Sequence, residues 1–151
     1  MPTHYKGTPT EIRALDLYIK LTRCANSLSH RLESRIAESG LTTSQFGVLE
    51  ALWHLGPLCL TDLAHKLLRT GGNLTLVVKN LERAGLVRRK QQKEDRRYQQ
   101  IQLTPAGERL IKRVFRQHLR RLVKEAGVLQ PAEQEQLAAL CRRLGKGAAS
   151  S

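Results

Sequence analysis

Amide, hydroxyl and cationic side chains alternate with apolar ones at helical spacing between positions 73 and 83. If this segment is a helix, its apolar positions form one buried stripe, made of Leu74, Val77, Val78 and Leu81. The opposite face then carries amide, hydroxyl and cationic groups and one leucine, on Asn73, Thr75, Leu76, Lys79, Asn80 and Arg83. Side chains of these types suit base edges and phosphates in a major groove. A plain solvated helix face would have a similar composition, so this helix alone leaves both interpretations open.

An amphipathic helix and a glycine turn come before this segment. The first helix has one apolar stripe, formed by Leu60, Leu63, Ala64, Leu67 and Leu68. Gly71 and Gly72 would then stop it, because glycine tolerates the positive φ of a tight turn. The second helix is expected from about Asn73 to Ala84, with Gly85 as the glycine that ends it. The spacing therefore predicts a helix-turn-helix.

A charged hairpin follows the second helix. Residues 86–90 and 99–103 are predicted as strands, since the second alternates Ile101 and Leu103 with glutamines. Between Lys79 and Arg97 the chain has eight Lys/Arg and three Asp/Glu, a net charge of +5. Helix, turn, polar-faced helix and basic hairpin together predict a winged helix-turn-helix. Its wing would lay arginines against phosphates or into the minor groove.

Residues 81–110 read LERAGLVRRKQQKEDRRYQQIQLTPAGERL, so a second-helix end is followed by a wing and an LT-x-x-G helix start. This order resembles the MarR family of bacterial transcriptional regulators, and the resemblance covers nearly the whole chain. The string LLRTGGNLTLVVKNLERAGLVRR also resembles the quinone- and catechol-responsive members. The resemblance implies a homodimeric regulator, a repressor, that binds a palindromic operator.

From the turn, the polar helix face and the wing, we expect DNA contacts by Thr70, Gly72, Asn73, Thr75, Leu76, Lys79, Asn80, Arg83, Arg88, Lys93, Asp95, Arg96 and Arg97. The resembled family carries a D-x-R pattern at the hairpin tip. That pattern implies that Arg97 enters the minor groove and that Asp95 orients it by a charge-assisted hydrogen bond. A solvated run of charges is the alternative for this tip.

Chain length and net charge limit the classes of protein to which this chain could belong. A chain of 151 residues is long enough for a real core, and its net charge of +13, with a pI of about 10.4, favours a polyanionic partner. No apolar run approaches the roughly 20 residues that span a bilayer, and the first residues do not resemble a signal peptide. We therefore expect a cytoplasmic protein without a membrane partner. Three widely spaced cysteines fit reduced thiols better than disulfides.

Long helices are predicted on both sides of the winged unit. Thr8, Pro9 and Glu11 form a helix start, and this helix should run to about Glu38. Thr42 to Gln45 is a capping box for the next helix, and Pro57 to Cys59 could add an edge strand to the wing. Two further helices should begin at Thr104-Pro105 and at Pro131. Their apolar stripes exceed what one small subunit buries, which favours a twofold partner.

The predicted fold class is mainly α with a small β-wing: a winged helix-turn-helix flanked by N- and C-terminal dimerisation helices. We expect one MarR-like domain over residues 1–151. Its DNA-binding lobe would occupy 42–103, and the dimerisation helices 9–39 and 104–145.

Other chemistry has little support in the sequence. The five histidines show no metal-ligand spacing, and neither a nucleophile–base pair nor a phosphate-binding loop is present. We therefore expect no enzyme activity, no metal and no cofactor. Some members of the resembled family sense oxidants through a cysteine on the first helix. In those members the cysteine lies nearly two turns before the position of Cys24, where this chain has Tyr18. Cys24 is accordingly expected to be buried, and Cys59 and Cys141 to be packing residues.

The leading hypothesis is a DNA-binding repressor whose affinity changes with a small phenolic or quinone-like effector. Such a ligand would bind between the dimer helices and the winged unit, beside Tyr18, Cys24, Phe46 and Trp53, although all four could be core residues. Two alternatives remain: an oxidant sensor acting through Cys24, and a structural protein that binds nucleic acid without sequence preference.

Overall fold

The computed structural model describes residues 4–67, 74–91, 94–95 and 98–148. Within these ranges the chain forms six helices and a three-stranded antiparallel sheet. In chain order the elements are α1 (Pro9–Ala37), α2 (Thr43–Leu55), β1 (Leu58–Cys59), α3 (Leu60–Leu67), α4 (Leu74–Arg83), β2 (Val87–Gln91), β3 (Gln99–Leu103), α5 (Pro105–Ala126) and α6 (Pro131–Lys146). This mainly helical chain with a small β-wing confirms the predicted fold class.

Capping side chains start the first two helices where the sequence predicts. Before α1, Thr8 Oγ1 accepts from the Glu11 N–H at 3.3 Å and the Thr8 N–H donates to Glu11 Oε2 at 2.7 Å. Before α2, Thr42 and Gln45 form the same reciprocal pair at 3.1 and 3.0 Å. A cap of this kind contributes about 1 kcal/mol because it satisfies otherwise free N–H groups.

The wing sheet has the strand order β1-β3-β2. Leu58 pairs with Ile101 and Val87 with Leu103, so the predicted edge strand exists, as residues 58–59. The first wing strand begins at Val87, one residue later than predicted. The reason is local: the Leu86 N–H closes the end of α4 by donating to the Leu81 carbonyl at 3.0 Å, across Gly85 at φ +74°.

The core lies where α2, α3, α4, α5 and the sheet meet. Its fully buried side chains are aliphatic: Val48, Leu49, Leu63, Val78, Leu81, Val87, Ile101 and Ile111. The winged unit and the first half of α5 therefore pack as one body. By contrast, α6 has no buried residue.

The start of α5 is fixed to the end of α4. Thr104 Oγ1 donates to the Gly85 carbonyl at 2.6 Å and accepts from the Gly107 N–H at 3.1 Å. Gly107 lies against the backbone of Leu86, where a Cβ would overlap the carbonyl oxygen. This close approach requires glycine at position 107 and fixes the direction in which α5 leaves the sheet.

An ion pair joins α1 to α5. Arg31 donates from Nε and Nη2 to the Glu125 carboxylate at 2.8–3.1 Å, and its Nη1 donates to Ser27 at 2.7 Å. The guanidinium lowers the pKa of Glu125 from its usual value by this hydrogen bonding. Among the residues that the structure describes, no helix is both long and apolar enough to cross a bilayer.

Candidate nucleic-acid interface

One face of α4 is open to solvent and carries polar groups. Thr75, Leu76, Lys79, Asn80 and Arg83 are all exposed, whereas Val78 and Leu81 are fully buried. Leu74 and Val77 are partly buried against the core. The predicted division of this helix into two faces is therefore confirmed for residues 74–83, and contact of the exposed face with DNA stays a prediction.

The core holds that face in place. Helix α4 packs against α2, α3 and β2 through its apolar side, and Gly85 turns the chain into the wing. Because the backbone of α4 is already packed, it loses little further conformational freedom when its exposed polar face enters a DNA groove.

Arginines on the first wing strand are held by neighbouring side chains. Gln102, opposite Arg88 on β3, accepts from Arg88 Nε at 2.7 Å and Nη2 at 3.2 Å when its amide oxygen faces the guanidinium. Arg89 donates from Nε to Glu82 Oε2 at 3.1 Å and from Nη1 to Gln99 Oε1 at 3.4 Å. The wing cations are thus tied both to the sheet and to α4.

Sequence reasoning named Arg88 but missed Arg89. Its partner Glu82 lies seven positions earlier, across the turn between a helix and a strand. No periodicity connects those two positions, because the turn geometry alone brings them together. The only available signal was an acid in the last turn of α4 followed by an arginine on β2.

At the wing tip, Asp95 is half-buried, and its carbonyl accepts the Tyr98 N–H at 3.0 Å. Several predicted DNA contacts lie outside the described residues: Thr70, Gly72, Asn73, Lys93, Arg96 and Arg97. The proposed pairing of Asp95 with Arg97 therefore stays a prediction.

A cavity of about 670 Å³ lies between the winged unit and the long helices. Its lining includes Ser29 and Leu32 from α1, Phe46 from α2 and His118 from α5, together with residues of α3 and α4. The rings of Phe46 and His118 are 5.0 Å apart. Nδ1 of His118 is buried and has no hydrogen-bond partner among the described residues. The cavity lining thus combines apolar side chains with His118, three hydroxyl groups and the carboxylates of Glu33 and Glu50.

The predicted effector residues are not brought together. Phe46 lines the cavity, and Trp53 stacks edge-on to Phe115 at 5.2 Å on the far side of His118. Tyr18 is 68% exposed and Cys24 is exposed, and neither lines the cavity. Tyr18, Cys24 and Trp53 therefore do not line this cavity with Phe46, and effector binding by these four residues stays a prediction. The contribution of α1 to the cavity comes from residues 29–36, more than one turn beyond Cys24.

The cysteines also differ from expectation. Cys24 was predicted to be buried and is exposed in this chain. Cys141, predicted to be a packing residue, is exposed and lines a groove between α1 and α6. Cys59 is half-buried, and its thiol donates to Asp62 Oδ2 at 3.2 Å. Cys24 and Cys141 lie on helix faces that the other described residues leave exposed. Periodicity alone could not distinguish these faces from buried ones.

In the described part of the chain, no group of three or more His, Cys, Asp or Glu could hold a metal ion. The candidate functional surface is the exposed face of α4 with the adjoining wing.

Comparison with known proteins agrees with this geometry. The model of the MarR family matches residues 41–98. The HTH-type transcriptional regulator YkoM of Bacillus subtilis (strain 168) is 33% identical over 88% of this chain and 86% of its own length. The HTH-type transcriptional regulator MhqR of the same organism is 32% identical over 90% and 94%.

Solved structures share the whole fold. The structure of NadR in complex with 4-hydroxyphenylacetate is 26% identical and superposes with a TM-score of 0.73, covering 97% of this chain and 99% of its own. A MarR family regulator of Streptomyces coelicolor in complex with DNA is 24% identical, with a TM-score of 0.82 over 95% and 91%. Sequence relatives over most of the chain, the matched family model and the winged helix agree: this chain belongs to the MarR family of DNA-binding transcriptional regulators.

Proposed function

We propose that the protein binds a palindromic operator as a homodimer, represses transcription there, and changes its affinity when a small phenolic or quinone-like molecule binds. The observation that carries this proposal is the open face of α4. It presents an amide, a hydroxyl and cations beside wing arginines that Glu82 and Gln102 hold in position. Such groups suit base edges in a major groove and phosphates beside it.

Exposed apolar side chains support the homodimer. Most large apolar residues that face solvent lie on α1, α5, α6 and the loop before α6: Ile12, Leu17, Tyr18, Leu119, Val123, Val128, Leu137, Leu140 and Leu144. Leu17, Leu21, Leu140 and Leu144 line one groove of about 770 Å³ between α1 and α6. A second copy, related by a twofold axis, would cover these side chains. It would also place two copies of α4, the proposed recognition helix, on one DNA duplex.

The cavity supports effector control. Its walls come from α1 and α5, which are proposed dimerisation helices, and from α3 and α4, which belong to the winged unit. A ligand there would contact both parts, so it could favour one separation of the two recognition helices over another. The phenolic acid named for the NadR complex supports an aromatic ligand class for this related fold.

An oxidant-sensing alternative has one observation in its favour, which is the exposure of Cys24. An exposed thiol can meet an oxidant or a quinone directly. Mass spectrometry after treatment with a quinone and with a peroxide would test this alternative. Mass added at Cys24, together with loss of DNA binding, would favour covalent sensing over reversible binding in the cavity.

Selection from a random duplex library, followed by footprinting, tests the main proposal. We expect an inverted repeat with half-sites about 10 base pairs apart, or a multiple of that spacing. Binding without sequence preference would instead favour the structural nucleic-acid protein. Titration of the bound operator with 4-hydroxyphenylacetate and with catechol would then test the effector, whose release of DNA is the expected result.

A further inference from the structure

The outer face of α5 is strongly basic. A shallow depression of about 400 Å³ on this face is lined by Arg109, Lys112, Arg113, Arg116, Gln117 and Arg120. All six residues are exposed, and they lie on the side of the helix opposite the buried Ile111 and Val114. The helix as a whole has seven Lys/Arg and two Glu, a net charge of +5. The 62 residues of the predicted winged lobe, 42–103, have ten Lys/Arg and five Asp/Glu, which is also +5.

This face differs from an ordinary solvated helix face. Solvated helix faces usually carry both acidic and basic side chains, so that opposite charges at i, i+4 spacing stabilise the helix. On α1, for example, Lys20 Nζ lies 2.7 Å from Asp16 Oδ2. On α5, Lys112 has Glu108 at 2.7 Å. Among the described residues no acid lies within ion-pair distance of the remaining four cations, Arg109, Arg113, Arg116 and Arg120. Like charges repeat at i, i+4, and this arrangement destabilises a helix unless an anion covers it.

The basic face of α5 also begins beside the winged unit. Arg109 lies two positions after Gly107, which packs against the joint between α4 and β2. From Arg109 to Arg120 the helix rises about 16 Å, similar to about five nucleotide steps of one DNA strand. Because Thr104 ties this end of α5 to the end of α4, the face is held rigidly relative to the recognition helix.

We infer that the outer face of α5 is a second DNA-binding surface, which contacts phosphates of a duplex bound by the winged unit. Arginine suits this role, since its planar guanidinium pairs with phosphate oxygens in a bidentate geometry. The contacts carry no base information and therefore add affinity for any sequence. The inference rests on the DNA-binding function proposed above. Continuity with the winged unit favours DNA over an acidic protein as the partner.

The salt dependence of DNA binding tests this inference. The parent protein and a triple variant, Arg109→Gln, Arg113→Gln and Arg116→Gln, are titrated with a duplex of about 40 base pairs of mixed sequence at several salt concentrations. Each lost phosphate contact lowers the slope of log K against log salt by about 0.9. We expect the slope of the triple variant to be smaller by about two to three units.

A matched control separates contact from net charge. Arg13→Gln, Arg23→Gln and Arg142→Gln remove the same three charges from exposed positions on α1 and α6, and this variant should keep the parental slope. The corresponding Arg→Lys triple variant on α5 should also keep it, since lysine still neutralises a phosphate. An unchanged slope in the Gln triple variant, or an equal loss in the control, would overturn the inference. If the parent binds neither this duplex nor any operator selected from the random library, the proposed function fails instead.

Discussion

The carboxylate of Glu82, in the last turn of α4, accepts a hydrogen bond from Nε of Arg89 on β2 at 3.1 Å. Both side chains are partly exposed, at 42% and 32%. Exposed ion pairs contribute only about 0–1 kcal/mol to stability. The consequence of this pair therefore lies in geometry, because it links the recognition helix directly to the wing and keeps the Arg89 guanidinium beside α4.

Replacing Glu82 with alanine should weaken operator binding. Charge alone predicts the opposite, since the change removes a negative group close to the phosphates. If Glu82 positions Arg89, its loss should reduce affinity about threefold to fivefold, equivalent to about 0.6–1 kcal/mol. Fluorescence anisotropy on the selected operator would measure this. Glu94→Ala, which removes the same charge from the exposed wing, is the control. Tighter binding by Glu82→Ala would show that Glu82 only repels phosphate.

Asn80 and Lys79 should affect binding in different ways. Both are exposed on α4, but an amide can read a base edge, whereas an ammonium group contacts phosphate as a point charge. Asn80→Ala should cost about 1–3 kcal/mol on the operator and weaken the preference at one base position. Lys79→Ala should weaken operator and random DNA alike and lower the salt slope by about one unit. Equal losses by both variants on both duplexes would contradict this division.

Local patterns in the sequence predicted the fold well. Capping pairs such as Thr8 with Glu11 act within one turn, and the glutamine alternation located β3 at its observed bounds, Gln99–Leu103. The faces of α4 also followed from 3.6-residue spacing, because one helix has one buried side. In each case neighbours a few positions apart decide the outcome, so periodicity carries the information.

Relations between distant residues could not be predicted in this way. The Arg31–Glu125 pair spans 94 positions, and the cavity gathers side chains from five helices. The exposure of Cys24 depends on how far α1 extends beyond its packing against α2 and α5. Apolar stripes on α1 and α6 have the same spacing as buried ones, whether a second subunit or the chain itself covers them.

Charges placed in the α1–α6 groove should prevent dimer formation. Leu140 and Leu144 line this groove, and α6 contributes no buried residue to the chain's own core. The double variant Leu140→Glu and Leu144→Glu should therefore fold but sediment as a monomer. Ala138→Glu and Ala139→Glu add the same charge at positions that do not line the groove, and they should leave a dimer. If sedimentation shows a folded dimer for the groove variant, the interface lies elsewhere.

His118 should determine the response to a phenolic effector. Its ring lies 5.0 Å from the Phe46 ring between centroids, and its buried Nδ1 has no hydrogen-bond partner among the described residues. A ligand hydroxyl that reached Nδ1 would satisfy this atom. His118→Leu removes this atom and should raise the effector concentration needed for DNA release about tenfold, as expected for one hydrogen bond. Operator affinity without effector should change little. His30→Leu, at an exposed α1 position outside the cavity, should respond normally. Unchanged sensitivity of His118→Leu would exclude this anchor.

The pair between Arg31 and Glu125 should make part of the stability depend on pH. Arg31 lowers the pKa of the Glu125 carboxyl through hydrogen bonds at 2.8–3.1 Å. A carboxyl whose folded-state pKa is depressed stabilises the fold above its unfolded pKa, and this stabilisation is lost as pH falls through the folded value. At about pH 7 the parent should therefore unfold at a higher urea concentration than Glu125→Gln, and near pH 3 the two midpoints should converge.

Glu108→Gln breaks a pair within α5 alone and should shift the midpoint less, because that pair joins no two helices. If the difference between the parent and Glu125→Gln persists unchanged in acid, the contact of Glu125 with α1 stabilises the fold through packing and not through its charge.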